Sequence, residues 1–126
     1  MKDIDLLPKK WRQLSISQDE IVVPYEASYP ILDFFRMKGY AALGCEVLHV
    51  SETEHIEIRT FISYFPDAIV WEEFVNDAYH QVRNFLEQTY KELLYGEEKL
   101  DDIYVLLTFV NRQEFETYYY DFIAVD

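Results

Sequence analysis

Paired carboxylates are the commonest groups in this sequence that could perform chemistry. Glu72 and Glu73 are adjacent. A second group of carboxylates follows further along the chain, at Glu97, Glu98, Asp101 and Asp102. Neighbouring carboxyl groups can act as a general acid and a general base, or bind a divalent cation. A solvated helix face and a charged loop explain the same clusters more simply, and residues 95–103 lack the spacing of a calcium loop. We therefore expect neither catalysis nor a cofactor.

The single cysteine and the histidines are the other potential ligands. Cys45 and His49 are four residues apart and would share one face of a strand, and His49 could meet His55 across a hairpin. A transition-metal site needs a further ligand at a regular spacing, and none follows. We therefore expect a buried Cys45, surface histidines and no metal. A single cysteine cannot form an internal disulfide, which is typical of a reducing compartment.

Missing motifs and the net charge exclude several classes of function. No phosphate loop, dinucleotide fingerprint, zinc-type histidine pair or nucleophilic serine motif occurs. The chain carries a formal net charge of -13 and is 17% aromatic, so it can fold while repelling nucleic acid and anionic membranes and attracting basic proteins. Residues 1–63 hold 7 basic and 10 acidic side chains, whereas residues 64–126 hold 4 and 14. The C-terminal half therefore generates most of the field.

Hydrophobic periodicity predicts the elements that position these groups. Residues 21–23 indicate a short strand. Residues 27–38 match a helix with Ser28 as its cap and Gly39 as its end.

A hairpin is predicted next. Residues 40–50 are typical of a mostly buried strand, and residues 51–55 of a polar turn. From Ile56 to Ser63, apolar and polar residues alternate as in a strand with one wetter face.

The clearest predicted element is a long helix that begins at Asp67 or Trp71 and ends at Tyr95, because apolar residues recur at spacings of three and four. After it, Ile103–Val110 is typical of a strand buried on both faces.

The last segment, residues 115–125, fits two interpretations. Asn111 with Glu114 three residues later is the signature of a helix cap. The run Tyr118–Tyr120 and the apolar end of the chain favour a strand, which we predict. Neighbouring tyrosines on a strand point to opposite faces, so some would be exposed to solvent or to a partner.

Together these elements predict an α+β fold, with an antiparallel or mixed sheet of four to five strands and two helices packed on one face. The length of 126 residues predicts one domain over 1–126. The sequence has neither a signal-peptide pattern at its start nor an apolar run of the roughly 20 residues that span a bilayer, so we expect a cytoplasmic protein.

Two short motifs resemble a family of bacterial polymorphic-toxin immunity proteins, the one called immunity protein forty. In that family a helix leads into a strand of the form apolar-Leu-Gly-Gly-Asp-Val, and a segment like Trp-Glu-Glu-Phe-Val opens a long helix. The counterparts here are residues 43–47, Leu-Gly-Cys-Glu-Val, and residues 71–75, Trp-Glu-Glu-Phe-Val. Cys45 and Glu46 depart from the Gly-Asp pair. The likeness covers roughly residues 11–110.

This resemblance implies a small cytoplasmic protein that binds and neutralises one cognate toxin. The charge indicates a basic toxin domain, for which a nuclease is one candidate class, and a free protein that is a monomer or a weak dimer. We predict that the interface contains the exposed start of the long helix and its approach, namely Asp67, Glu72, Glu73 and Asp77. The second choice is the acidic loop, namely Glu97, Glu98, Asp101 and Asp102.

Two other classes of function are alternatives. One is an adaptor that dimerises through the hairpin edge or the tyrosine segment. The other is a small enzyme, for which a pocket holding two carboxylates and a histidine within about 5 Å would be evidence.

Overall fold

The computed structural model describes residues 2–95, 102–119 and 123–125. Its helices are α1 (Asp3–Leu6), α2 (Lys9–Arg12), α3 (Tyr25–Met37), α4 (Trp71–Tyr95) and α5 (Arg112–Tyr118). Its strands are β1 (Ile21–Pro24), β2 (Ala41–Val50), β3 (His55–Ile62), β4 (Ala68–Val70), β5 (Ile103–Val110) and β6 (Ile123–Val125). The α+β prediction is confirmed. No helix in the described ranges is long and apolar enough to cross a bilayer.

Four strands form an antiparallel sheet in the order β1-β5-β2-β3, and β4 pairs in parallel with β6. Helices α3 and α4 cover one face of the sheet. Phe35 of α3 stacks on Phe109 with ring centroids 3.9 Å apart, and Phe85 of α4 stacks on Phe61 at 5.1 Å. The predicted arrangement of two helices on one face is therefore confirmed.

Strand β5 shows the consequence of one-sided cover. Its residues Ile103, Val105 and Leu107 are buried, whereas Tyr104 and Leu106 are half-buried. Our prediction that β5 is buried on both faces is wrong, because the helices lie on only one side of the sheet.

Helix α3 begins two residues earlier than predicted. Pro24, with φ of -53°, is its N-cap residue, and its fixed φ leads directly into the first turn. Ser28 is not a cap, because it lies inside the helix and donates a hydrogen bond to the carbonyl of Tyr25 at 2.5 Å. Gly39, with φ of +78°, follows the helix as predicted. The bounds of α4 match one of the two predicted starts and the predicted end.

The strand predicted for residues 115–125 is wrong over its first part. Asn111 accepts a hydrogen bond from the Glu114 amide at 2.7 Å, and the Glu114 carboxylate accepts one from the Asn111 amide at 3.2 Å. This capping box starts α5, which buries Phe115 completely. Capping and burial outweigh the β-propensity of the tyrosines, and among the described residues of this segment only β6 is a strand.

The two edge strands of the described sheet are both protected. At the β1 edge, the Val22 amide donates to Ser15 Oγ at 3.1 Å, and its carbonyl accepts from the Ile16 amide at 2.9 Å. At the other edge, the pairing of β3 with β2 shifts by one residue at Ile58. Bulges and side-chain caps of this kind hinder pairing with another chain.

The exposure of β3 differs from the pattern expected of its sequence. Its residues from His55 to Thr60 are all exposed, and Ile56 remains 52% exposed. The isoleucines do not form a buried face, because Phe61 faces α4 and the alternating residues Thr60 and Ile62 therefore lie on the face of the sheet that the helices leave uncovered.

Gly44 is required by the close approach of β2 and β3. A β-carbon at this position would lie 2.3 Å from the Phe61 carbonyl oxygen. We predict that Gly44→Ala destabilises the protein by about 3 kcal/mol, because backbone atoms must move apart. Gly39→Ala is the matched control: nothing lies within 4 Å of its added carbon, so only the left-handed backbone costs energy, about 1 kcal/mol. Urea denaturation of both variants measures the difference, and equal losses would contradict this account.

Asp3 anchors the N-terminal helix to the sheet. Its carboxylate accepts a hydrogen bond from the Phe109 amide at 2.9 Å. Burial, with the nearby charge of Glu114, raises the pKa of Asp3 to about 6, although the bond from Phe109 opposes this shift. A raised carboxyl pKa means that the folded state binds the proton more tightly than the unfolded state does. Stability from this group is therefore full below about pH 4 and is lost as the pH rises through 6.

We predict that Asp3→Asn removes this loss, because the amide oxygen can still accept the Phe109 bond. The free energy of unfolding of the variant minus that of the wild type should rise between pH 4 and 7, by on the order of 1 kcal/mol after allowance for solvent screening. Asp5→Asn, on the same helix, keeps Asp3 and should keep the wild-type dependence. A flat difference curve for Asp3→Asn would refute the assignment.

Candidate functional site

A groove of about 510 Å³ lies between the segment 64–70 and the first half of α4. Glu73, Asp77 and His80 line its helical wall. These residues are four and three positions apart, so they share one side of the helix. Tyr64 and Val70 line the opposite wall and are 75% and 37% exposed. We call this feature the acidic groove.

Gln81 fixes the apolar wall to the helix. Its side-chain oxygen accepts a hydrogen bond from the Tyr64 amide at 2.7 Å, and its nitrogen donates one to the Tyr64 carbonyl at 3.1 Å. Two bonds from one amide group hold the backbone of Tyr64, which has no regular secondary structure, in one position.

The groove is supported from below by a second hydrophobic cluster. Ile69 and Phe74 line the groove and belong to this cluster, with Trp71, Val110 and Phe115. Trp71 also donates a hydrogen bond from Nε1 to the Gly39 carbonyl at 2.9 Å, which joins the start of α4 to the turn before β2.

The acidic side chains at the start of α4 have no ion-pair partner among the described residues. Among the described residues, no ion pair within 4.0 Å involves Asp67, Glu72, Glu73 or Asp77. All four are exposed. The helical wall of the groove therefore presents unpaired negative charge beside exposed apolar side chains.

The structure divides the first predicted group of site residues. Glu73 and Asp77 come together in the acidic groove. Asp67 lies between two groove-lining residues, Pro66 and Ala68, but does not itself line the groove. Glu72 lies in a separate hollow with Arg36, Met37 and Trp71.

Only one residue of the second predicted group, Asp102, lies within the described residues. Glu97, Glu98 and Asp101 lie outside the described residues. Asp102 is 3.8 Å from Nε2 of His49, near the end of β2. Ala41, at the opposite end of that strand, packs in the cluster of Trp71. Asp102 and the acidic groove are therefore separate surfaces.

Three exposed apolar residues, Tyr64, Ile62 and Val70, were not predicted from the sequence. Ile62 was assigned to the alternating strand pattern and residues 64–66 to no element, whereas Asp67 was one of two predicted starts of the long helix. The turn residue Pro66 was the only sequence signal that this segment leaves the strand.

The potential metal ligands do not converge. Cys45 is buried, and burial raises the pKa of its thiol to about 12, so it is an unreactive thiol at neutral pH. His49 lies opposite Ile56 in the hairpin, and His55 lies opposite Val50. The described residues contain no group of three or more His, Cys, Asp or Glu side chains placed to hold a metal ion.

Comparisons with protein-family models, with curated proteins and with solved structures find no match. The resemblance to toxin-immunity proteins therefore stays a prediction.

We predict that Gln81→Ala loosens the apolar wall of the groove. The Tyr64 amide loses its acceptor, so its hydrogen exchange should accelerate by roughly 10-fold or more while that of core amides changes little. Gln88→Ala is the matched control, because Gln88 is exposed on the same helix and donates its side-chain hydrogen bond to Glu92. Unchanged protection at Tyr64 would show that Gln81 does not fix this segment.

Proposed function

We propose that this protein is an immunity protein that neutralises a basic bacterial toxin by covering its active-site cleft with the acidic groove. The observation that carries the proposal is the set of unpaired carboxylates beside exposed apolar side chains. The resemblance of residues 43–47 and 71–75 to an immunity family supports the same class of function.

The electrostatics of the groove suit this role. Glu73 and Asp77 are adjacent on the helix surface, so their fields add, and the chain around them carries a formal net charge of -13. Charge of this kind accelerates the encounter with a basic surface, whereas buried apolar contacts slow dissociation. A toxin that binds nucleic acid has a basic cleft, because it must attract phosphate groups. A nuclease is therefore the toxin class that we favour.

The dimerising adaptor is less well supported. Both edges of the described sheet are protected, at Ser15 and Ile16 on one side and at the Ile58 irregularity on the other. Like charge on two copies also opposes self-association, most strongly at low salt.

The small enzyme has one feature in its favour, since Glu73, Asp77 and His80 line the same groove. All three side chains are exposed. General acids and bases usually lie in desolvated surroundings, which adjust their proton affinity. We therefore prefer the binding function.

The test uses the C-terminal domain of the large secreted protein that our proposal places immediately upstream of this gene. The wild-type protein should bind this domain one to one and restore growth to cells that express it. Absence of binding and of protection would refute the proposed function.

We predict that the double variant Glu73→Lys, Asp77→Lys associates about 10-fold more slowly with this domain at low salt and shows a weaker dependence of rate on salt. The control Glu52→Lys, Glu54→Lys makes the same change of net charge on the exposed hairpin turn. Stopped-flow kinetics over a range of salt concentrations compare the two. Equal slowing in both variants would show that total charge acts, without a specific role for the groove.

A further inference from the structure

The side chains of Ile62 and Tyr64 form an exposed apolar ridge, with the buried Ser63 between them. Ile62 is 74% exposed and Tyr64 75%, although both are large apolar residues. Ser63 is 2% exposed. Single exposed apolar residues are common on protein surfaces. This ridge differs because its backbone is held in place on both sides.

Four hydrogen bonds fix the backbone of the ridge. The Ser63 amide donates to the Leu43 carbonyl at 2.7 Å, and Ser63 Oγ donates to the Ala42 carbonyl at 2.7 Å. The amide and the carbonyl of Tyr64 both bond to Gln81. Because the backbone of the ridge is already fixed in the free protein, covering these side chains with a partner requires no further ordering of the backbone.

Each side chain of the ridge lines a hollow that is also lined by at least one acidic residue. Tyr64 lines the acidic groove with Glu73 and Asp77. Ile62 lines a smaller hollow of about 260 Å³ together with Glu46 and Gly44. An apolar centre within a polar rim is the usual arrangement of an interface, and hot spots lie near that centre.

We propose that the Ile62–Tyr64 ridge is the apolar anchor of the toxin complex, and that it fits a toxin surface with an apolar pocket framed by lysine or arginine side chains. This inference rests on the proposed function. The basic frame follows from charge complementarity with Glu46, Glu73 and Asp77, and tyrosine is among the residues most enriched in hot spots. The anchor determines how long the complex lasts, whereas the carboxylates determine how quickly it forms.

The experiment measures association and dissociation rates for the upstream-encoded toxin domain by surface plasmon resonance. Tyr64→Ala and Ile62→Ala should each raise the dissociation rate at least about 10-fold and leave the association rate and its salt dependence within about twofold. Tyr64→Phe keeps the ring and should retain most of the wild-type residence time. Leu14→Ala is the control, because Leu14 is an exposed aliphatic residue, 43% exposed, on the segment leading to the β1 edge. Thermal melts confirm that each variant is folded.

The outcomes separate the two proposals. If the wild-type complex forms and the ridge variants dissociate no faster than Leu14→Ala, the anchor is refuted and the proposed function stands. Slower association with an unchanged dissociation rate would also refute the anchor, because it would place the ridge among the steering groups. If no complex forms with the wild-type protein, the proposed function fails and the anchor fails with it.

Discussion

The acidic groove depends on the complete burial of one ring, that of Phe115. Its ring centroid lies 5.5 Å from that of Phe65, 5.6 Å from that of Trp71 and 5.5 Å from that of Phe74. These three residues belong to the segment before β4 and to the first turn of α4, so one ring joins both walls of the groove to α5. Aromatic pairs at these separations add energy beyond their buried area. The groove is therefore positioned by packing at its floor and by Gln81 above it.

Two arginines in the described residues join elements of the fold to one another. Arg83 donates to the hydroxyl of Tyr79 at 2.6 Å, and that hydroxyl donates to Asp33 at 2.5 Å, so one cation joins α4 to α3. Arg59 pairs with Glu92 and joins β3 to the far end of α4. Exposed ion pairs contribute little stability individually, about 0–1 kcal/mol. Neither arginine pairs with Glu73 or Asp77, so neither neutralises the helical wall of the acidic groove.

The sequence predicted the parts of the fold that repeat a local pattern. The 3.6-residue period of α4 is a local signal that placed this helix correctly, and Gly39 correctly marked the end of α3, although the start of α3 was predicted two residues too late. The prediction of a strand in place of α5 was wrong, because the capping box and the buried contacts of Phe115 favour the helix more than the tyrosines favour a strand. For the candidate site, the sequence identified Glu73 and Asp77, but it did not show that Glu72 lies in a different hollow. The opposite wall could not be predicted, because its position depends on Gln81, a residue 17 positions from Tyr64.

The negative charge of the protein determines which partners its exposed apolar ridge can contact. Exposed apolar side chains on a fixed backbone, such as Ile62 and Tyr64, are suited to a partner, but they are equally suited to a second copy of the same chain. Two copies with a formal net charge of -13 repel each other, and this repulsion acts beyond contact distance, over a Debye length of about 8 Å at physiological salt. A basic partner experiences the opposite force at the same surface. The same charge therefore hinders self-association through the ridge and favours its contact with a basic protein, so a rigid apolar anchor can remain exposed in the free protein.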